Sequence, residues 1–176
     1  SKKYKALKVI HITKPGKGNA IKQSWKQSKA DLLCFMDVDL STDINHLKEM
    51  VHFLKDYDLV IGNRLSAKSK TKRRLYRTIL SIAYNTIAKL YLGIKSHDLQ
   101  CGFKGIKRKA FLSLAKHTKN NNFFFDTELV AWAEKKKYKI KEIPIKWIER
   151  KASKVKIGST SKSYLKELVC LRNRLQ

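Results

Sequence analysis

The sequence predicts an α/β domain built on a parallel or mixed sheet, and three observations carry that prediction. The apolar runs Leu32-Leu33-Cys34-Phe35-Met36 and Leu59-Val60-Ile61 have strand length and no alternation, as strands covered on both faces do. Helical patterns stand between and beyond them, giving a β-α-β-α-β order that calls for crossover helices. The 176 residues are 43% hydrophobic, enough for one domain with a real core and too many for a disordered chain of this charge.

Each element has its own signal. Lys8 to Ile12 reads as a short strand, and Thr13 to Gly18 as a loop broken by Pro15, Gly16 and Gly18. Asn19 to Lys29 is helical, with Ala20, Ile21, Ser24 and Trp25 on one side. Asp31 to Met36 is the first buried strand. Asp43 is placed to cap a helix to about Lys55, striped by Ile44, Leu47, Val51 and Leu54. Gly62 closes the next buried strand. Ser66 to Lys72 reads as a mobile basic loop, and Arg73 to Leu92 as a long helix. Arg73, Arg74 and Arg77 crowd the start of that helix, where cations oppose the helix dipole unless an anion is near. Asp98 to Lys104 reads as irregular around Gly102, and Arg108–Lys116 and Asp126–Lys136 as helices. Lys139 to Ile148 alternates lysine with apolar residues, and Pro144 puts that strand at an edge or a bulge. Ser161 to Leu175 is a basic amphipathic helix. No repeat or linker divides the chain, so residues 1–176 form one domain.

The formal net charge is +26, and most of the 40 Lys and Arg are lysine. Such an excess suits an anionic partner: nucleic acid, an acidic membrane surface or phosphate-bearing substrates. A lysine-rich solvated surface accounts for it equally well. The three cysteines are far apart and odd in number, and none of the five histidines forms an H-E-x-x-H motif. A zinc site is not supported, and a reducing, cytoplasmic setting fits. No signal-peptide pattern and no bilayer-spanning apolar run is read.

Asp37 and Asp39 end the first buried strand, where ligands bind in open α/β sheets. Two hard oxygen donors there suggest a divalent metal and a phosphorylated ligand. Both carboxylates are expected to reach one ion where the chain turns, and Leu40-Ser41-Thr42-Asp43 offers such a turn. The plain alternative is a strand-to-helix loop. Gly16-Lys17-Gly18 precedes a helix start, which would bring backbone amides and Lys17 to a phosphate, although the P-loop spacing is absent. Arg64 ends the second strand, placed to fork onto a phosphate. Asp98 to Lys104 mixes polar ligand types with a Phe. Asp126 is either a general base or a helix cap, and capping is favoured. Arg150, Ser153 and Lys154 follow Trp147 as a basic end, otherwise a solvated loop.

Taken in order, these segments resemble the catalytic domain of family 2 (GT-A) glycosyltransferases, specifically the polyprenyl-phosphate (dolichyl-phosphate) mannosyl- and glucosyltransferases. The matching residues are Gly16-Lys17-Gly18-Asn19-Ala20, Asp37-Val38-Asp39-Leu40-Ser41, Ile61-Gly62-Asn63-Arg64 and Arg77 with Asn85. Asp98 to Lys104, Phe125-Asp126-Thr127-Glu128-Leu129, Ile143 to Trp147 and Ser153-Lys154-Val155 continue the match. The resemblance implies a GT-A (Rossmann-like) mixed sheet flanked by helices. It lacks two strands that open the family's domain, so an N-terminally truncated, incomplete domain is expected.

The resemblance also implies roles. Asp37 and Asp39 would be the D-x-D pair that holds Mn²⁺ or Mg²⁺ on a nucleotide diphosphate, with Ser41 where relatives carry a third ligand. Lys17, Val38, Arg64, Arg150 and Lys154 would contact the donor and its phosphates. Arg77, Asp98 and Gln100 would lie by the acceptor. The implied reaction moves a hexose from GDP-mannose or UDP-glucose to a polyprenyl phosphate, with inversion. It would take place at the cytosolic face of a membrane, with the protein peripheral there and a separate membrane subunit as an open partner. An inactive fragment is one alternative. A basic nucleic-acid-binding protein is the other, but it leaves the aspartate pair unexplained. No nucleic-acid motif is present, so no nucleic-acid partner is expected.

Overall fold

The computed structural model describes residues 6–150 and 157–176, with side chains from 163 onward in the second span. The elements run α1 (Lys17–Gln27), β1 (Leu32–Met36), α2 (His46–Phe53), β2 (Leu59–Asn63), β3 (Lys70–Lys72) and α3 (Leu75–Leu92). Then follow β4 (Phe103–Lys107), α4 (Arg108–Leu114), α5 (Phe125–Lys135), β5 (Ile140–Pro144), β6 (Lys146–Ile148) and α6 (Ile157–Leu175).

The two apolar runs form β1 and β2, but they are not neighbours. The main sheet has the order β1-β4-β2-β5, with β4 antiparallel to both β1 and β2, and β2 parallel to β5. It is therefore the mixed sheet expected. The carboxyl ends of β1, β2 and β5 share one edge, and β4 begins there. A small parallel sheet pairs β3 with β6, and Thr42 bridges to Trp147 of β6.

β4 lies within the segment whose first part reads as irregular in sequence, and the reason is physical. Side chains alternate across a strand. Lys104 faces α5 and donates to Asp126 Oδ1 at 2.7 Å. Gly105 faces α2, where an added Cβ would stand 2.7 Å from Met50 Sδ and 2.9 Å from Leu54 Cδ1. Lysine and glycine are poor strand formers, so tertiary contact sets the conformation here.

The core fills in on both faces. Trp25 of α1 packs against Phe35 of β1 and Phe111 of α4, with ring centroids 5.8 and 5.0 Å apart. Met50 and Leu54 are fully buried on the opposite face. α6 packs on both α3 and α5. α3 ends at Gly93 in the left-handed conformation, φ 69°, the residue best suited to that cap.

Other expectations shift. Lys8 to Ile12 is irregular and pairs with no described strand, and Val9 stays exposed. A strand needs a neighbour to complete its hydrogen bonds. The basic stretch 66–72 is not a free loop throughout: β3 forms because Lys70 N donates to Ile145 O and β6 completes the pairing. The Lys139–Ile148 segment divides at Pro144, which closes the edge strand β5 before the chain enters the second sheet. Asp43 caps a turn rather than the helix, accepting from Asn45 N at 3.1 Å.

Gly105→Val should force α2 off the sheet. We expect it to lower stability by about 1–3 kcal/mol, the usual cost of overpacking, seen as a lower urea midpoint.

Candidate functional site

The glycines at the start of α1 act through backbone contact. A Cβ on Gly18 would stand 2.5 Å from Phe125 Cβ, so its absence lets the start of α1 press on the start of α5. Gly16 has φ 142°, a conformation that favours glycine. The first amides of α1 are already engaged: Gly18 N donates to Asn122 O and Asn19 N to Asn121 O. The expected phosphate cradle of backbone amides is thus a helix-to-loop contact. What the contact delivers is the Lys17 side chain, brought beside Asp126.

Lys17 Nζ lies 2.8 Å from Asp126 Oδ2 and 3.1 Å from Asp37 Oδ1. Burial alone would lower the Lys17 pKa, but the Asp126 and Asp37 charges outweigh it and raise the value above the ordinary lysine range. Asp126 is buried, and burial by itself would raise its pKa. The Lys104 and Lys17 ammonium groups more than reverse that and hold it below the usual carboxylate value. Its carboxylate caps no helix: α5 begins at Phe125 with no side-chain cap. Held by two cations, it is a poor general base.

Asp37 and Asp39 occupy a turn at the end of β1. Leu40 N donates to Asp37 O at 3.1 Å, and Leu40 itself is left-handed at φ 51°. The chain thus turns as a shared ion would require. Asp37 N donates to Gly102 O at 2.9 Å, and the Asp37 carboxylate lies against Gly102, where an added Cβ would stand 1.7 Å from Oδ2. Asp39 Oδ1 accepts from Ser41 N at 3.0 Å. Val38 projects from the tip, 97% exposed. Ser41 is buried, and its Oγ has no partner among the described residues.

Arg64 and Asp98 form the second ionic unit at this edge. Arg64 Nε donates to Asp98 Oδ2 at 2.8 Å and Nη2 to Oδ1 at 2.7 Å, and Arg64 N also reaches Oδ2 at 2.9 Å. Burial would raise the Asp98 pKa, but the Arg64 charge and its hydrogen bonds lower it. The Arg64 fork is thus engaged by a carboxylate of the chain itself. Arg77 pairs with Glu149 at 3.1 Å. Arg150 is exposed beyond β6, and Gln100 is half-buried with Nε2 unpartnered among the described residues. Lys154 lies outside the described residues.

Two residues without an assigned role in the sequence join the site. Lys104 is fully buried and donates to Cys101 O at 2.7 Å as well as to Asp126. The sequence carried no signal for it, because Asp98 to Lys104 reads as irregular. Arg73 lies over the Trp147 ring at 5.6 Å, with Arg64 over the same ring at 5.9 Å. Arg73 Nη1 donates to Ser81 Oγ at 2.7 Å, while its Nε is buried without a partner among the described residues. Burial first, and the Arg64 charge next, lower its pKa. A guanidinium so placed suits an added anion.

The model of the family described as "Glycosyl transferase family 2" matches residues 1–114. The chain belongs to glycosyl transferase family 2. This family 2 chain is 33% identical to glycosyltransferase AglD of Haloferax volcanii over 80% of its own length and 23% of the relative's. It is 26% identical to the dolichyl-phosphate beta-glucosyltransferase of Saccharomyces cerevisiae over 96% of its own length and 55% of the relative's. It therefore spans about half or less of the length of these relatives. Glucosyl-3-phosphoglycerate synthase from Mycobacterium tuberculosis, solved with phosphoglyceric acid, shares the fold with a TM-score of 0.71 at 17% identity, over 93% of this chain and 57% of that one.

Two buried carboxylates with lowered pKa values set an acid limit on this family 2 domain. Unfolded aspartate titrates near about 3.9, while folded Asp98 and Asp126 titrate lower. Their stabilisation is complete above that value and is lost as pH falls through it toward the folded pKa values. Asp98→Asn leaves Arg64 buried without an anion, which should cost about 3–5 kcal/mol near neutral pH. It should also flatten the acid limb of stability, measured by urea unfolding between pH 6 and pH 2.

Proposed function

We propose that this chain is the catalytic domain of a metal-dependent hexosyltransferase that moves a sugar from a nucleotide sugar to a polyprenyl (dolichyl) phosphate at a membrane surface. The observation that carries the reading is the Asp37-Val38-Asp39 turn, set beside Lys17 on the sheet edge where β2 ends next to Arg64. The dolichyl-phosphate glucosyltransferase relatives support the acceptor class. The solved neighbours crystallised with Mn²⁺ or Mg²⁺ and UDP support the donor and metal classes.

The residues fit a divalent cation of the substrate-assisted kind. Among the described residues, no cluster of three or more His, Cys, Asp or Glu is positioned to hold a metal. Mg²⁺ characteristically needs only one or two carboxylates, with water and substrate phosphate completing the shell. Asp37 and Asp39 supply that pair, and Ser41 Oγ, without a partner among the described residues, stands close behind them. When bound, the ion would neutralise the departing diphosphate as a Lewis acid.

The remaining work falls to the chain. A phosphate monoester has a second pKa of about 6, so it is largely dianionic at pH 7 and attacks without a strong base. That agrees with an Asp126 held by two lysines. Repulsion between acceptor and donor phosphates calls for fixed cations, and Arg73, whose Nε has no partner among the described residues, is one such group. Arg64, Arg77, Arg150 and Lys154 extend the basic edge. Asp98 holds Arg64 rigid instead of touching sugar directly, and Gln100 remains available to the acceptor.

No described helix is long and apolar enough to cross a membrane. α3 nevertheless exposes Leu75 at 74% and Leu90 at 81%, with Ile79 and Ile82 also open. With Arg73 and Arg74 at its start, this face suits the interface of an anionic bilayer.

Calorimetry with UDP-glucose and GDP-mannose should detect binding of one donor in the presence of Mn²⁺ and none in EDTA. Asp37→Ala and Asp39→Ala should each abolish it. Binding that ignores both substitutions and the metal would refute the reading. The chain should also float with vesicles containing anionic lipid, and Leu75→Glu with Leu90→Glu should leave it in solution.

A further inference from the structure

Lys17 bridges two unlike carboxylates. Asp37 is half exposed on the turn with Asp39, while Asp126 is buried and also takes a 2.7 Å contact from fully buried Lys104. The contact to Asp126 is the shorter of the two, 2.8 Å against 3.1 Å. Backbone packing enforces this arrangement, because Gly18 sits against Phe125, next to Asp126. The Asp37 carboxylate in turn is confined by Gly102, against which it lies.

A divalent cation arriving at Asp37 meets an ammonium already there. The ammonium must give up a partner, and a buried cation left without an anion is strongly disfavoured. We propose that Asp126 is a positioning residue: it is the resident counter-ion of Lys17, and it lets Lys17 release Asp37 to the metal without stranding its own charge. The inference rests on Asp37 and Asp39 being metal ligands. Lys104 completes the device. It satisfies the second oxygen of Asp126 and keeps that carboxylate from competing for the metal. The order Lys104, Asp126, Lys17, Asp37 alternates in sign, so a change at the exposed end is balanced at the buried end.

The test is titration of MnCl₂ into the 176-residue chain at fixed ionic strength, alone and with UDP, read by calorimetry. Lys104→Met with Asp126→Leu removes the buried pair together and leaves the net charge unchanged, a replacement that folds commonly tolerate. Lys17 then has Asp37 alone, and Mn²⁺ affinity should fall about tenfold or more, as for lost outer-shell partners. Adding Lys17→Met to that double variant should restore wild-type affinity or better, because the stranded cation is gone. A merely structural loss would not be rescued by a third substitution. Asp126→Asn, measured in parallel, should weaken Mn²⁺ binding in the same direction and respond to the same rescue if the double variant does not fold. A double variant or Asp126→Asn that binds like wild type, or a weakness that Lys17→Met does not relieve, overturns the role of Asp126. A wild-type chain that binds no Mn²⁺ in either condition overturns the metal-site reading itself.

Discussion

One buried carboxylate shared by two ammonium groups organises the site edge of this domain. Asp126 accepts Lys104 on one oxygen and Lys17 on the other. A charge so deeply buried persists only when paired and hydrogen-bonded. That demand reaches outward into the fold. It asks for a buried lysine at the second position of β4, where an apolar residue would be the ordinary choice. It asks for α1 to begin against α5, which Gly18 permits. It then fixes the cation beside Asp37, and through it the exposed carboxylate at the end of β1.

The second ionic unit works differently. Arg64 and Asp98 form a planar fork, with the Arg64 backbone amide as a third bond. Such a pair is rigid and directional. It ties the end of β2 to the segment leading into β4, and sets Arg64 over one face of Trp147 while Arg73 lies over the same ring. One unit is a chain of point charges that can shift, and the other is a clamp that cannot. The turn that carries Asp37 and Asp39 borders the first.

β1 and β2 were legible as apolar runs, Pro144 by its edge position and α3 by its period, although the apolar residues of that period, Leu75, Ile79, Ile82 and Leu90, lie exposed while Ala88 and Leu92 are buried. The alternation of strand and helix was enough to place Asp37 and Arg64 on one edge, because β1 and β2 do run the same way. β4 was hidden because two of its five residues answer to other elements, Lys104 to Asp126 and Gly105 to α2. β3 was hidden because Lys-Thr-Lys carries no strand signal and depends on β6 for its pairing. The partners of single charges were equally hidden. Nothing in the spacing of Lys17, Asp37, Lys104 and Asp126 says that they form one chain of contacts, since α1, β1, β4 and α5 meet only in three dimensions. Asp126 looked like a cap for the same reason: a carboxylate near a helix start has a local use, and only the fold reveals the distant one.

Acidic residues are scarce here, 14 against 40 basic ones, so where they stand is informative. Asp37, Asp98, Asp126 and Glu149 all gather at the site edge, each paired with a cation of the same edge. Exposed ion pairs add little to stability, and buried ones rarely exceed their desolvation cost. Their use here is therefore geometric. They hold Lys17, Arg64 and Arg77 in defined positions. Arg73 differs from them, since its Nε has no hydrogen-bond partner among the described residues.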